Sequence, residues 1–115
     1  MPRHCLTLEL QNNPAKIAEY KRYHEKIWPE IRDSLFAAGV TQMEIYLQGT
    51  RLFMIMDVNE DFSFEKKAQM DASNPKVMEW EVLMGNFQAV PDGADPVRRW
   101  QVMEKVFDLS KQERA

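Results

Sequence analysis

The tripeptide Gln48-Gly49-Thr50 does most to limit what this chain can fold into. It separates residues 40–47 from residues 51–58, and both stretches have the composition of β-strands. In the first, Met43, Ile45 and Leu47 alternate with Gln42, Glu44 and Tyr46. The second, RLFMIMDV, is almost continuously apolar, which predicts a strand buried on both faces and hence central in its sheet. Glycine between polar neighbours supplies a turn, so the two strands pair as a hairpin. The flanking sequence must then cover that hairpin.

Each flank offers one strand and helical cover. In residues 3–11, Leu6, Leu8 and Leu10 alternate with Cys5, Thr7 and Glu9, a strand pattern. Asn12-Asn13-Pro14 ends it, with Asn13 as helix N-cap and Pro14 at the first helical position. The helix runs from Pro14 toward Ala38, is interrupted at Trp28–Pro29, and is closed by Gly39. Beyond the hairpin, helices are predicted over 62–72 and 76–87, the second with the apolar stripe Val77, Trp80, Leu83, Met84 and Phe87. Residues 91–96 read as a loop and 99–109 as a last strand. The order β-α-β-β-α-β in a single domain over 1–115 defines an α+β, ferredoxin-like plait: one antiparallel sheet with helices on one face. The opposite face, with Thr7, Glu9, Glu44 and Tyr46, needs cover. A second copy of the chain is the expected cover, giving a homodimer of the dimeric α/β-barrel type.

Composition removes several function classes. The net charge is −3 and no basic stripe stands out, which speaks against nucleic-acid binding. No apolar run is long enough to cross a bilayer, and MPRHCLTLELQ lacks the apolar core of a signal peptide. Cys5 is the single cysteine and cannot form an internal disulfide; these features together predict a cytoplasmic protein. With His4 and His24 the only histidines, no metal-ligand spacing is present. The four isolated glycines make no phosphate-binding loop, and there is no G-x-S-x-G elbow. No cofactor is expected, and proton transfer by side chains is the chemistry left.

The residues for it lie on the first helix. Tyr20, His24 and Trp28 are spaced four apart, on a face continued by Ile17, Ile27, Ile31 and Leu35. An imidazole titrates near pH 6.5 and can give or take a proton at neutrality. Its bland role is a hydrogen-bonded core histidine; that of Tyr20 is a core aromatic with its hydroxyl at the edge. Trp28 and Trp80 sit on apolar stripes, where packing is the default and a flat wall for a sugar ring the alternative. Glu9 and Glu44 either accept hydrogen bonds in a pocket or face solvent. The run Glu65-Lys66-Lys67 reads as a solvated helix face, and the methionines as adaptable core filler.

The segments EYKRYHEKIWPEI, MEIYL, RLFMIMDV and NPKVMEWEVLM together resemble the L-rhamnose mutarotase family of small dimeric sugar epimerases. The likeness covers nearly the whole chain, and Tyr-x-x-x-His-x-x-x-Trp-Pro-Glu is its most specific part. The resemblance implies the same plait and the interconversion of α and β anomers of a 6-deoxy-hexose pyranose without metal or nucleotide. His24 matches the family's catalytic histidine, a proton donor; Tyr20 matches a sugar-contacting tyrosine, and Trp80 the first of two adjacent sugar-contacting tryptophans. Glu81 stands where the second tryptophan would be, and Met43 where the family has a tyrosine. These departures alter the sugar-binding wall, and the pattern is closer to a branch linked to L-fucose than to L-rhamnose. The expected site has His24 and Tyr20 as catalytic residues, with Tyr20, Trp80, Trp28, Tyr46 and Glu44 contacting sugar. Two other readings fit the same fold: a cofactor-independent oxygenase and a non-catalytic sugar-binding module.

Overall fold

In a computed structural model that describes residues 2–90 and 93–113, the chain runs β1 (Arg3–Glu9), α1 (Pro14–Glu25), α2 (Pro29–Ala37), β2 (Val40–Gln48), β3 (Arg51–Val58), α3 (Phe64–Ala72), α4 (Pro75–Gly85) and β4 (Gln101–Val102). The strands form one antiparallel sheet in the order β2-β3-β1-β4. β1 and β2 therefore run in the same direction on either side of β3, the arrangement of the ferredoxin-like plait.

Local sequence explains where each helix starts. The Asn13 side chain accepts from the backbone N–H of Ala15 and Lys16 at 3.1 and 3.2 Å, Ser63 accepts from Lys66 at 3.2 Å, and Asn74 accepts from Lys76 at 3.1 Å. Each supplies an acceptor to a first-turn N–H that lacks a partner within the helix. Proline follows directly in α1, α2 and α4, where its missing N–H does no harm. Pro29 turns the predicted interruption into a full break: α1 ends at Glu25 and α2 restarts at Pro29. Gly39 closes α2 with φ +99°, and a Cβ there would lie 2.7 Å from Asn59 Oδ1.

The sheet's alternation decides where the core lies. Leu6 and Leu8 of β1 and Leu52, Met54, Met56 and Val58 of β3 are buried. Each such side chain contributes about 1.5–3 kcal/mol on leaving water. One cluster joins Leu8 and Leu52 to Tyr20, Ile31, Val77, Trp80, Met84 and Phe87 of the helices. A second joins Leu6, Met54, Met56 and Val58 to Val40, with Phe62 and Phe64 against it. β3 is central, as expected, yet it is not buried on both faces: Phe53, Ile55 and Asp57 on the helix-free side are half-buried. An apolar run signals a strand that has cover available, and within one chain that side of the sheet has none.

The last strand is much shorter than residues 99–109. Only Gln101 and Val102 pair, with Thr7 and Leu6, and Met103 N–H adds one bond to the Cys5 carbonyl at 2.8 Å. The alternating segment that follows leaves the sheet and ends in a 3-10 turn at Leu109–Lys111, with Val106, Phe107 and Leu109 exposed. Its period-two pattern needs a surface to bury against, and the described residues do not provide one. Smaller shifts follow from caps and turns. β1 ends at Glu9, with Leu10 forming an isolated bridge to Gln88. α3 starts after its Ser63 cap rather than at 62, and α4 spans Pro75–Gly85 rather than 76–87. Of the predicted loop 91–96, positions 91 and 92 lie outside the described residues.

Candidate active site

α1 presents Tyr20 and His24 on one face because four residues make about one helical turn. His24 Nδ1 lies 2.9 Å from the Tyr20 main-chain oxygen. A carbonyl oxygen can only accept, so Nδ1 carries the hydrogen and donates it. That bond fixes the tautomer and leaves Nε2 with its lone pair. The imidazole stacks on the Tyr20 ring at 4.2 Å between centroids and 28° between planes. Trp80, from α4, meets the imidazole edge-on at 5.6 Å, and Trp28 meets Trp80 edge-on at 5.1 Å.

Tyr20, His24 and Trp80 border a cavity of about 150 Å³ between the sheet and the helices. Met43, Ile45 and Met54 line it from the sheet, Tyr20 and His24 from α1, Trp80 and Glu81 from α4, and Lys67 from α3. A second cavity of about 280 Å³ shares Met43, Met54, Lys67, Glu81 and Trp100 with the first. His24 also borders a cleft of about 360 Å³ with Arg32, Thr41 and Gln42. The imidazole is half-buried and borders both the first cavity and this cleft. The surroundings are mostly apolar with a few ionisable groups, the usual make-up of a small-molecule site.

Burial sets the ionisation states. It lowers the His24 pKa below its ordinary value, against the opposing pull of the hydrogen bond to Tyr20. The ring is therefore neutral at pH 7, and Nε2 is a base. Burial, helped by the nearby charge of Glu81, pushes the Tyr20 phenol well above its ordinary range, so it remains an O–H group. Burial pushes the Glu81 carboxyl up to about 7; the positive charges of Lys67 and Arg99 pull it down, and Asp71 pushes it up. Lys67 is itself tied to Asp71 at 2.5 Å. Arg99 Nη1 donates to the Glu81 main-chain oxygen at 2.7 Å and to Gln88 Oε1 at 3.1 Å.

The structure brings Tyr20, His24 and Trp80 together. Trp28 is one step removed, half-buried behind Trp80 with Lys76 Nζ 5.7 Å from its ring centroid. Glu44 and Tyr46 are not part of the group. They pair with Ile55 and Phe53 on the helix-free face, and Tyr46 is 55% exposed. Ile45 between them lines the cavity, so strand alternation turns its neighbours away. Lys67 does not share the solvated face expected of it. It lies on the inward stripe of α3 with Phe64, Ala68 and Asp71, at spacings of three and four that were visible in the sequence. In the sequence Glu81 reads only as a departure in the sugar wall; the structure places it, half-buried, on the same cavity as His24. Among the described residues, no three His, Cys, Asp or Glu side chains gather as metal ligands would.

Fold and cavity together define a small ferredoxin-like α+β protein with an ionisable, largely apolar pocket between its sheet and its helices. The family model described as L-rhamnose mutarotase matches residues 3–109. An L-fucose mutarotase from Xanthomonas campestris pv. campestris is 40% identical over 113 residues, covering 96% of this chain and 90% of its own length. An L-rhamnose mutarotase from Burkholderia cenocepacia is 31% identical over 107 residues, covering 90% of this chain and 96% of its own. The crystal structure of an L-rhamnose mutarotase from Formosa agariphila matches with a TM-score of 0.72 over 95% of this chain and 99% of that one. At 22% identity, that likeness is one of fold. The chain belongs to the L-rhamnose mutarotase family.

Proposed function

We propose that this protein is a sugar mutarotase that interconverts the α and β anomers of a 6-deoxy-hexose by acid/base catalysis, with His24 as the central group. One observation carries the reading. Nδ1 of His24 is committed to the Tyr20 carbonyl, which leaves Nε2 as the basic atom of a side chain lining a cavity. Anomer exchange needs little more. Nε2 takes the proton from the anomeric hydroxyl, the C1–O5 bond breaks as the C1 carbonyl forms, and the ring oxygen is protonated. Rotation about C1–C2 presents the other carbonyl face. The steps then reverse, with His24 returning its proton; it acts as acceptor on opening and donor on closing. Such assistance contributes about 10²–10⁴-fold.

The other groups orient the sugar. Tyr20 keeps its proton and can hydrogen-bond a ring hydroxyl. Trp80 offers a flat face to the C–H side of the pyranose, with Trp28 supporting it. Met43, Ile45 and Met54 give the C6 methyl an apolar seat. L-Fucose ranks ahead of L-rhamnose, because Met43 and Glu81 replace aromatic residues of the family and the Xanthomonas relative bears the L-fucose name. The exposed Tyr46, Val106, Phe107 and Leu109 support a homodimer that covers the helix-free face. Cys5, a free thiol, fits a reducing cytoplasm. Among the described residues, no helix is long and apolar enough to cross a membrane.

The test is a panel of aldoses, including L-fucose and L-rhamnose, in an NMR saturation-transfer assay at neutral pH. Acceleration is expected to be largest for L-fucose, smaller for L-rhamnose, and weak for sugars that lack the C6 methyl. Sugar binding without faster exchange would make the protein a binding module instead.

A further inference from the structure

We propose that Glu81 is the second proton-transfer group of the site, giving its proton to the ring oxygen as His24 takes one from the anomeric hydroxyl. The inference rests on the mutarotase reading and fills the role that His24 leaves vacant. Glu81 follows Trp80 on α4 and lines the cavity with Tyr20 and His24. It also lines the adjoining larger cavity, so Glu81 borders both spaces.

The surroundings leave this carboxyl available. Lys67 and Asp71 act on it from α3, Arg99 from the segment before β4, and Tyr20 from α1; His24 of α1 lines the same cavity. Arg98 borders the larger cavity and pairs with Glu65 and Asp95. The two nearest cations are engaged elsewhere. Lys67 holds Asp71, and Arg99 binds the main-chain oxygen of Glu81 and the side chain of Gln88. Gly85 makes room for that second arrangement, since a Cβ there would lie 2.9 Å from Arg99 Nη1. Among the described residues, none donates a hydrogen bond to the Glu81 carboxyl. The cations lie close enough to stabilise the anion once the proton has left, without locking it in that form beforehand. Burial holds the carboxyl protonated to about pH 7.

The proton balance closes without a co-reactant. On opening, O1 loses its proton to His24 Nε2, the electron pair of that bond forms the C1 carbonyl, and the C1–O5 pair moves to O5, which takes the proton of Glu81. The open aldehyde then faces an imidazolium and a carboxylate. On closing, the carboxylate recovers the proton from the O5 hydroxyl as it attacks C1, and the imidazolium protonates O1. Both groups end as they began.

The experiment compares wild type, Glu81→Gln, Glu81→Asp and His24→Ala with L-fucose and L-rhamnose by saturation-transfer NMR between about pH 5 and 9, the range needed to see both limbs of a bell-shaped profile. Carboxyl ¹³C titration of wild-type Glu81 is followed in parallel. Glu81→Gln is expected to lose about 10²-fold or more in kcat, the scale of general acid catalysis, with KM little moved. Its profile should also lose the alkaline limb, which in the wild type should fall with the ¹³C midpoint near 7. Glu81→Asp should keep that limb at a reduced rate. Glu81→Gln at wild-type rate, or slowed with the alkaline limb unmoved, overturns the role while an inactive His24→Ala keeps the mutarotase reading standing. A ¹³C midpoint at the ordinary value of 4.5 also overturns it. Wild-type protein that accelerates neither sugar overturns both readings.

Discussion

Glu81 gives the folded protein a pH dependence opposite to that of an ordinary ion-paired glutamate. Its pKa rises from 4.5 to about 7 on folding. Below 4.5 both states are protonated and the group is silent. Between 4.5 and about 7 the unfolded chain releases its proton first, so stability is lost as pH rises, and above 7 the loss is complete. At about 1.4 kcal/mol per pKa unit, the loss is at most about 3.5 kcal/mol. Glu81→Gln removes it. Chemical denaturation at several pH values should find the variant close to wild type near pH 4.5 and more stable, by up to that amount, above pH 7. His24 acts in the other sense: its folded pKa is lowered, so stability is lost as pH falls below about 6.5. Spacing alone placed Tyr20 and His24 on one face, and the stripe of the fourth helix carried Trp80 to them. Glu81 was illegible as a chemical group, because its meaning depends on a cavity to which α1, α2, α3, β2 and β3 also contribute. For Glu44 and Tyr46 the expectation of sugar contact conflicts with strand alternation, which assigns them to the face opposite Met43 and Ile45.

At the scale of elements, the positions that set the architecture are those with backbone requirements no other residue meets cheaply. Gly39 combines φ +99° with a side-chain position blocked by Asn59. Gly39→Ala is therefore expected to cost about 1–3 kcal/mol, read as a lower urea midpoint with an unchanged m-value. Asn74→Ala removes the acceptor for the backbone N–H groups of Lys76 and Val77 at the start of α4. It should cost about 1 kcal/mol and loosen the helix that carries Trp80 and Glu81, a change visible in hydrogen exchange of its first turn. Such signals are local, and for that reason the Asn13 and Gly39 caps, the interruption at Pro29 and the hairpin turn could be read directly from the sequence. β4 could not. Its alternation is a request for a surface, and the surface is not supplied within the chain.

At the scale of the whole molecule, the helices cover one side of the sheet while the other side and the segment after β4 keep Tyr46, Val102, Met103, Val106, Phe107 and Leu109 exposed. Sedimentation equilibrium at micromolar concentration is expected to give the mass of a dimer. Ile55→Lys, on the helix-free face, should shift it toward the monomer. The plait, the central place of β3 and the side that helices cover were legible, because each follows from the period of a segment and its neighbours. What the uncovered side meets was legible only as a demand for cover. We propose that the helix-covered side holds the chemistry, with a neutral imidazole, tied through Nδ1 to the Tyr20 carbonyl, opening a sugar ring with Nε2. The most direct measurement is saturation transfer between the anomers of L-fucose in the presence of wild type and of His24→Ala, with folding of both verified by circular dichroism. Fast exchange in the wild type and a buffer rate in the folded variant is the predicted result; a folded His24→Ala that exchanges anomers at the wild-type rate would contradict it.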